Sequence, residues 1–301
     1  MIERKLGGGD LSSTAFTWIR DGVLINRMHI NPVAFAFAYC FADAPAADCG
    51  DRLIDLINFG FARSGISCRE KIQAYRREFD AKPAFADETL AAAVDFYNDL
   101  ATSMARSCSF FPGVVELLGE IKARGGSNFI TSAVEQAVLD AWEETAQGQL
   151  IAASLTAILG KQAGFSKGRD HFARISETIN RGQIIAVADA PSEIATAAAL
   201  AGQFNIMPVG FAFVVERSAV LEALRQAIFL TDNSLLLDSA HLDTSDTGKL
   251  GGRLDLPGEA AVIAALKARG ASYVVSGAAD KIVGNLARLL LAELAIADDK
   301  V

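Results

Sequence analysis

The sequence predicts an α/β fold: a doubly wound parallel sheet with a block of helices inserted after its first strand. Three observations carry this. The second half of the chain alternates short, fully apolar runs with helix-patterned stretches, as parallel strands covered on both faces do. A first apolar run near the N-terminus enters a tight turn and is followed by a long stretch with helical spacing only. Polar residues suited to chemistry follow directly on several of the apolar runs, where ligands bind in sheets of this kind.

The elements follow in order. Ala15-Phe16-Thr17-Trp18 reads as a buried strand, and Asp21-Gly22 is a common turn pairing directly after it. From about Asn26 to Ser107 apolar residues recur at helical spacing, as in Ala91-Ala92-Ala93-Val94-Phe96-Tyr97-Leu100. Pro112-Gly113 opens a helix over Val114–Arg124, and Gly125-Gly126 is its C-terminal stop. The later strands are expected at Asn128–Thr131, Leu155–Leu159, Ile184–Ala188, Ile206–Val209 and Tyr273–Val275, with the good helix former Ala195–Ala201 between two of them. The expected organisation is a core of residues 1–25 and 108–301 around a helical cap of residues 26–107. Residues 211–255 look like an addition to the core, with an apolar run, Ala227–Leu237, and a polar loop, Asp243–Gly252. A surface for a second copy or a protein partner is expected there.

Composition excludes several classes. The formal net charge of −8 and pI near 5.0 argue against non-specific binding to nucleic acid or anionic membranes, both of which use basic patches. Hydrophobic residues make up 51% of the 301, enough for a large core. The mean hydropathy of +0.27 is high, yet the longest candidate span, Val33–Ala42, falls well short of the roughly 20 residues a bilayer requires. It reads as a buried helix. The N-terminus is charged and then glycine-rich at Gly7–Gly9, without the apolar segment of a signal peptide. A cytoplasmic location is expected, with Cys40, Cys49, Cys68 and Cys108 as reduced thiols, since no C-x-x-C spacing points to zinc. His29, His171 and His241 show no metal-ligand spacing and read as structural.

Four segments carry a resemblance. Ile19-Arg20-Asp21-Gly22-Val23-Leu24 resembles D-x-D-G-(T/V)-L with its first Asp replaced. Phe111-Pro112-Gly113-Val114 through Lys122-Ala123-Arg124-Gly125 leads to Thr131-Ser132. Lys167-Gly168-Arg169-Asp170-His171-Phe172 precedes Ile184-Ile185-Ala186-Val187-Ala188-Asp189-Ala190-Pro191-Ser192-Glu193. Together they resemble the motifs of the haloacid dehalogenase (HAD) superfamily, over about two-thirds of the chain. The resemblance implies an HAD-like, Rossmannoid core and a set of roles. Ser132, or Thr131 beside it, would hydrogen-bond a phosphate oxygen. Lys167, with Lys161 as competitor, would neutralise the phosphate. Asp189 and Glu193, with help from Asp21, would hold Mg²⁺ through hard oxygen ligands. Asp21 would act as general acid and base, and Arg20 could orient a ligand anion. Each type also has a plain structural use: Ser and Asp cap helices, and a lysine is commonly a solvated surface charge.

Position 19 departs from the pattern. The resemblance implies an Asp nucleophile there, and an isoleucine can neither attack phosphorus nor bind a metal. Covalent catalysis through an aspartyl-phosphate is lost, and Mg²⁺ binding is expected to weaken. The expectation is therefore an HAD-like protein that binds a phosphorylated small molecule or a partner. Hydrolysis by another route, through Asp21 or a metal-bound water, is the alternative, and an inert scaffold a third. The phenylalanines of the helical block (Phe35, Phe37, Phe41, Phe59, Phe61) read as core rather than pocket lining.

Overall fold

The computed structural model describes residues 11–43, 49–64, 66–231 and 254–293. The glycine tail Gly7–Gly9, the end of the Ala227–Leu237 run and the loop Asp243–Gly252 lie outside the described residues. So does His241.

The described strands form one parallel sheet in the order β3-β2-β1-β4-β5-β6. They are β1 (Thr14–Trp18), β2 (Ser127–Glu135), β3 (Ala157–Lys161), β4 (Gln183–Ala188), β5 (Ile206–Ala212) and β6 (Tyr273–Ser276). The sheet is a doubly wound α/β core. β1 lies centrally, with Trp18 paired to Ile130 of β2 on one side and to Val187 of β4 on the other. Chain order departs in both directions from β1, which makes its carboxyl end a switch point where a crevice opens.

Both faces are covered, which explains why the strands read as apolar runs rather than alternating ones. On one face, Ala15, Phe129, Ile184 and Ala186 pack with Phe172 and Ile175 of α8 (Arg169–Thr178) and Ala197 of α9 (Pro191–Phe204). On the other, Trp18 meets Leu117 and Leu118 of α5 (Val114–Ala123) and Val283 and Leu286 of α12 (Ile282–Arg288). Asn128 is wholly buried and ties β1 to its surroundings. It accepts from Trp18 Nε1 and donates to the carbonyls of Leu118 and Ser154, all at 3.0 Å.

β2, β3 and β5 have boundaries that differ from the sequence reading, with β5 running three residues past Val209 to Ala212. β3 begins two residues late because Leu155 still donates to the Ala152 carbonyl, closing α7 (Ala146–Ala152), and Thr156 donates to Asn128. β2 runs on past Thr131 through a register shift and pairs Glu135 with Lys161. The half-exposed alternation of Ser132–Glu135 gave no apolar run to detect.

The chain divides into two compact units: Met1–Asn26, Ser109–Val214 and Gly258–Val301 make one, and Arg27–Cys108 with Val215–Pro257 the other. The second unit, taken by itself, is helical. It contains α1 (Ile30–Ala42), α2 (Cys49–Ala62), α3 (Cys68–Glu78), α4 (Asp87–Ala105) and α10 (Arg217–Thr231). Within it α10 packs on α1 and α4, burying Val220, Leu221, Leu224 and Ala227. That face of the 211–255 addition is thus internal to the helical unit, whereas Phe229 and Leu230 are exposed. Phe35, Phe37 and Phe59 are core, while Phe41 is exposed and stacks on Phe96. Asp43 accepts from Arg76 at 2.6 Å and Lys82 at 3.1 Å, and Asp80 accepts from Tyr39 and Arg52.

One expectation is corrected. Cys40 is disulfide-bonded, whereas Cys68 and Cys108 are free thiols. Among the described residues no helix is long and apolar enough to cross a membrane.

Candidate active site

The site is built on the segment that leaves β1. Ile19 continues the strand in extended conformation, and Arg20–Leu24 forms one wide turn. Its hydrogen bonds run from Leu24 to the Ile19 carbonyl at 3.2 Å, Ile25 to Arg20 at 2.9 Å, and Gly22 to Ile25 at 2.9 Å. Gly22 has φ +106, a region that side chains disfavour. A Cβ there would also lie 2.5 Å from Asp189 Oδ2. Glycine is required on both counts, and its backbone presses directly against the Asp189 carboxyl.

Strand register and alternation place the other candidates. Ile19 is one step past the Trp18–Val187 and Trp18–Ile130 pairs, level with Ala188 and Thr131. Its side chain is partly buried against the cluster of Ala188, Ile194, Ala212 and Leu266, at the apolar layer that includes α9 and α11 (Glu259–Ala268). Thr131 is buried on the Ile19 face, two residues after Phe129, whereas Ser132 alternates to the opposite face. The Ser132 hydroxyl accepts from the Val134 amide at 3.2 Å, a local turn contact.

Four charged side chains converge beyond the strand ends. Arg20, only 7% exposed, donates through Nε to Asp21 Oδ1 at 2.9 Å and through Nη2 to Asp21 Oδ2 at 3.1 Å. Its guanidinium carbon lies 5.3 Å from the ring centroid of Trp142, on α6 (Gln136–Glu143). Lys167, just before α8, is ion-paired with Glu193 in the first turn of α9. Lys161 is directed elsewhere, to Glu135 at 2.9 Å in an exposed pair. Asp189 is buried between these groups. Burial first, and then the Glu193 charge, push its carboxyl up to about 7, with Asp21 adding to the effect and Lys167 opposing it.

His171 supports this arrangement without joining it. It is buried, its Nε2 lies 3.1 Å from the Gly160 carbonyl at the end of β3, and burial lowers its pKa. It therefore stays neutral and fastens α8 to the sheet, consistent with a structural role. Trp142 is the contributor that sequence reading missed. A lone tryptophan on an amphipathic helix carries no signal of a cation lying over it.

The architecture has counterparts among solved structures. An HAD family hydrolase from Deinococcus radiodurans, whose crystal structure holds phosphate and sodium, matches with TM-score 0.53 at 15% identity, over 94% of this chain and 98% of that one. A predicted phosphatase from Clostridium acetobutylicum matches with TM-score 0.52 at 16% identity, over 93% and 99%. The chain shares the fold of these structures, which include haloacid dehalogenase-family hydrolases. A haloacid dehalogenase-like hydrolase from Streptococcus pneumoniae is similar at 14% identity and TM-score 0.50, over 92% and 97%. No family model matches the sequence, and no curated protein matches it either.

An HAD fold raises the question of a magnesium site, and the donor set can be tested for one. Mg²⁺ needs hard oxygens in near-octahedral array. Both Asp21 oxygens are engaged by Arg20, Glu193 Oε1 is engaged by Lys167, and the Asp189 carboxyl lies against the Gly22 backbone. Glu193 Oε2 is buried without a hydrogen-bond partner, a single donor atom. Among the described residues no group of three or more His, Cys, Asp or Glu is set to hold a metal ion. As arranged, these residues do not fit a divalent cation.

Proposed function

We propose that this protein is an HAD-like binding protein, taking a phosphorylated small molecule at the carboxyl end of its sheet without forming an aspartyl-phosphate. One observation carries the reading: the nucleophile position is Ile19, packed against the apolar cluster of Ala188, Ile194 and Ala212. No oxygen at that position can attack phosphorus.

The remaining residues support binding over turnover. Lys167 supplies positive charge and Thr131 a buried hydroxyl level with Ile19, a combination suited to an anion. Rerouted catalysis would require Asp21 or a metal-bound water as the attacking group. Asp21 is held at both oxygens by Arg20, which fixes its direction.

The experiment is a phosphomonoester panel with Mg²⁺, comparing the native chain with Ile19→Asp and Asp21→Ala. The expected result is no turnover by the native chain and measurable turnover by Ile19→Asp. Turnover by the native chain that Asp21→Ala abolishes would replace the binding reading with rerouted hydrolysis.

A further inference from the structure

The Arg20–Asp21 pair is unlike an ordinary contact between charged neighbours in sequence. Exposed ion pairs contribute little, but the Arg20 residue is only 7% exposed. A guanidinium so far out of water needs compensation, and here it has two forms: a bidentate carboxylate and the face of Trp142. Guanidinium has five N–H donors in a planar fork. Two go to Asp21, and Nη1 makes no hydrogen bond among the described residues. The group thus holds a carboxylate on one edge and keeps donors for something else. A metal ion bridging a carboxylate and a phosphate does the same with its coordination positions.

We propose that the Arg20 guanidinium takes the place of a divalent cation in this site, gripping Asp21 with one edge and offering its remaining N–H groups to an anionic oxygen of the ligand. The ligand half of this rests on the reading above that the ligand is phosphorylated; the cation half does not. The hydrocarbon of Ile19 offers no metal ligand, and the buried cation of Arg20 beside it supplies the charge that a metal would bring. Arg20 acts as a positioning residue for Asp21 and as an anion contact. The Lys167–Glu193 pair completes the neutralisation by engaging the other carboxylate.

The test titrates Mn²⁺ into the full chain by electron spin resonance and inorganic phosphate by calorimetry, in EDTA and in excess Mg²⁺. The native chain is expected to bind phosphate equally in both buffers and to retain no Mn²⁺. In an Ile19→Asp background, adding Arg20→Met should strengthen Mn²⁺ binding by roughly 10–100-fold, the scale on which groups that orient metal ligands act. Equal Mn²⁺ affinity with and without Arg20 would overturn the cation half. Phosphate binding that tightens about tenfold with Mg²⁺ in the native chain would overturn the proposal without any variant, should the double variant not fold. Phosphate binding by neither buffer would defeat the ligand half together with the proposed function, while the Mn²⁺ comparison still decides the role of Arg20.

Discussion

Replacing Asn128 by alanine perturbs the site from beneath and gives a magnitude that can be worked out. The side chain is wholly buried and makes three hydrogen bonds: one from the Trp18 indole, and one each to the Leu118 and Ser154 carbonyls. Truncation strands one donor and two acceptors, with the Trp18 and Leu118 contacts buried and the Ser154 contact part-buried. A buried group left unpaired costs about 1–3 kcal/mol. The indole N–H has no second choice and bears the full penalty, while carbonyls with two lone pairs bear less. The expected loss is about 3–5 kcal/mol, a large share of the roughly 5–15 kcal/mol by which domains are stable. Urea unfolding followed by circular dichroism and tryptophan emission measures it as a lower midpoint at unchanged slope. Because Trp18 immediately precedes Ile19, emission should also report a loosened strand end before global unfolding. A loss below about 1 kcal/mol would show that the three partners find substitutes, and the account of Asn128 as the anchor of β1 would fail.

Three further outcomes are expected. Gly22→Ala should destabilise the fold by about 1–3 kcal/mol from backbone strain at φ +106; it should also displace the Asp189 carboxyl, so a stability within about 0.5 kcal/mol of native would contradict the close approach. Asp189 binds a proton in the folded chain that the unfolded chain has already released, since its folded value is raised from 3.8 to about 7. Stability in EDTA should therefore fall as pH rises through that window, by at most about 1.4 kcal/mol per pH unit, and Asp189→Asn should flatten the slope. An unchanged slope would place the buried proton elsewhere. Trp142→Leu should weaken the hold on Arg20 by about 0.5–2 kcal/mol of cation–π attraction; in the Ile19→Asp background it should raise Mn²⁺ affinity in the same direction as Arg20→Met, and no change would remove Trp142 from the site.

The sequence by itself determined the architecture and the order of the polar residues along it. Strands covered on both faces must be apolar throughout, so β1, β4 and β5 are visible as runs, and Gly125, with φ +87, marks the end of α5. That Ile19 carries no oxygen or nitrogen in its side chain was equally legible, whatever surrounds it. Boundaries set by backbone hydrogen bonds rather than by side-chain type were not legible, which is why β3 starts late and β2 runs long. Nor could one sequence reveal that a buried sulfur at Cys40 is disulfide-bonded.

What only the tertiary structure decided is how the charges pair. Residues 20, 21, 142, 167, 189 and 193 come from elements separated along the chain, and whether a lysine faces Glu193 or Glu135 depends on where each strand ends. Burial of Arg20 against Trp142, and of Asp189 against Gly22, follows from the packing of α6 and α9 on the sheet. Sequence specifies which groups can ionise; the fold fixes their distances and their access to water, and those two quantities set the electrostatics of the site.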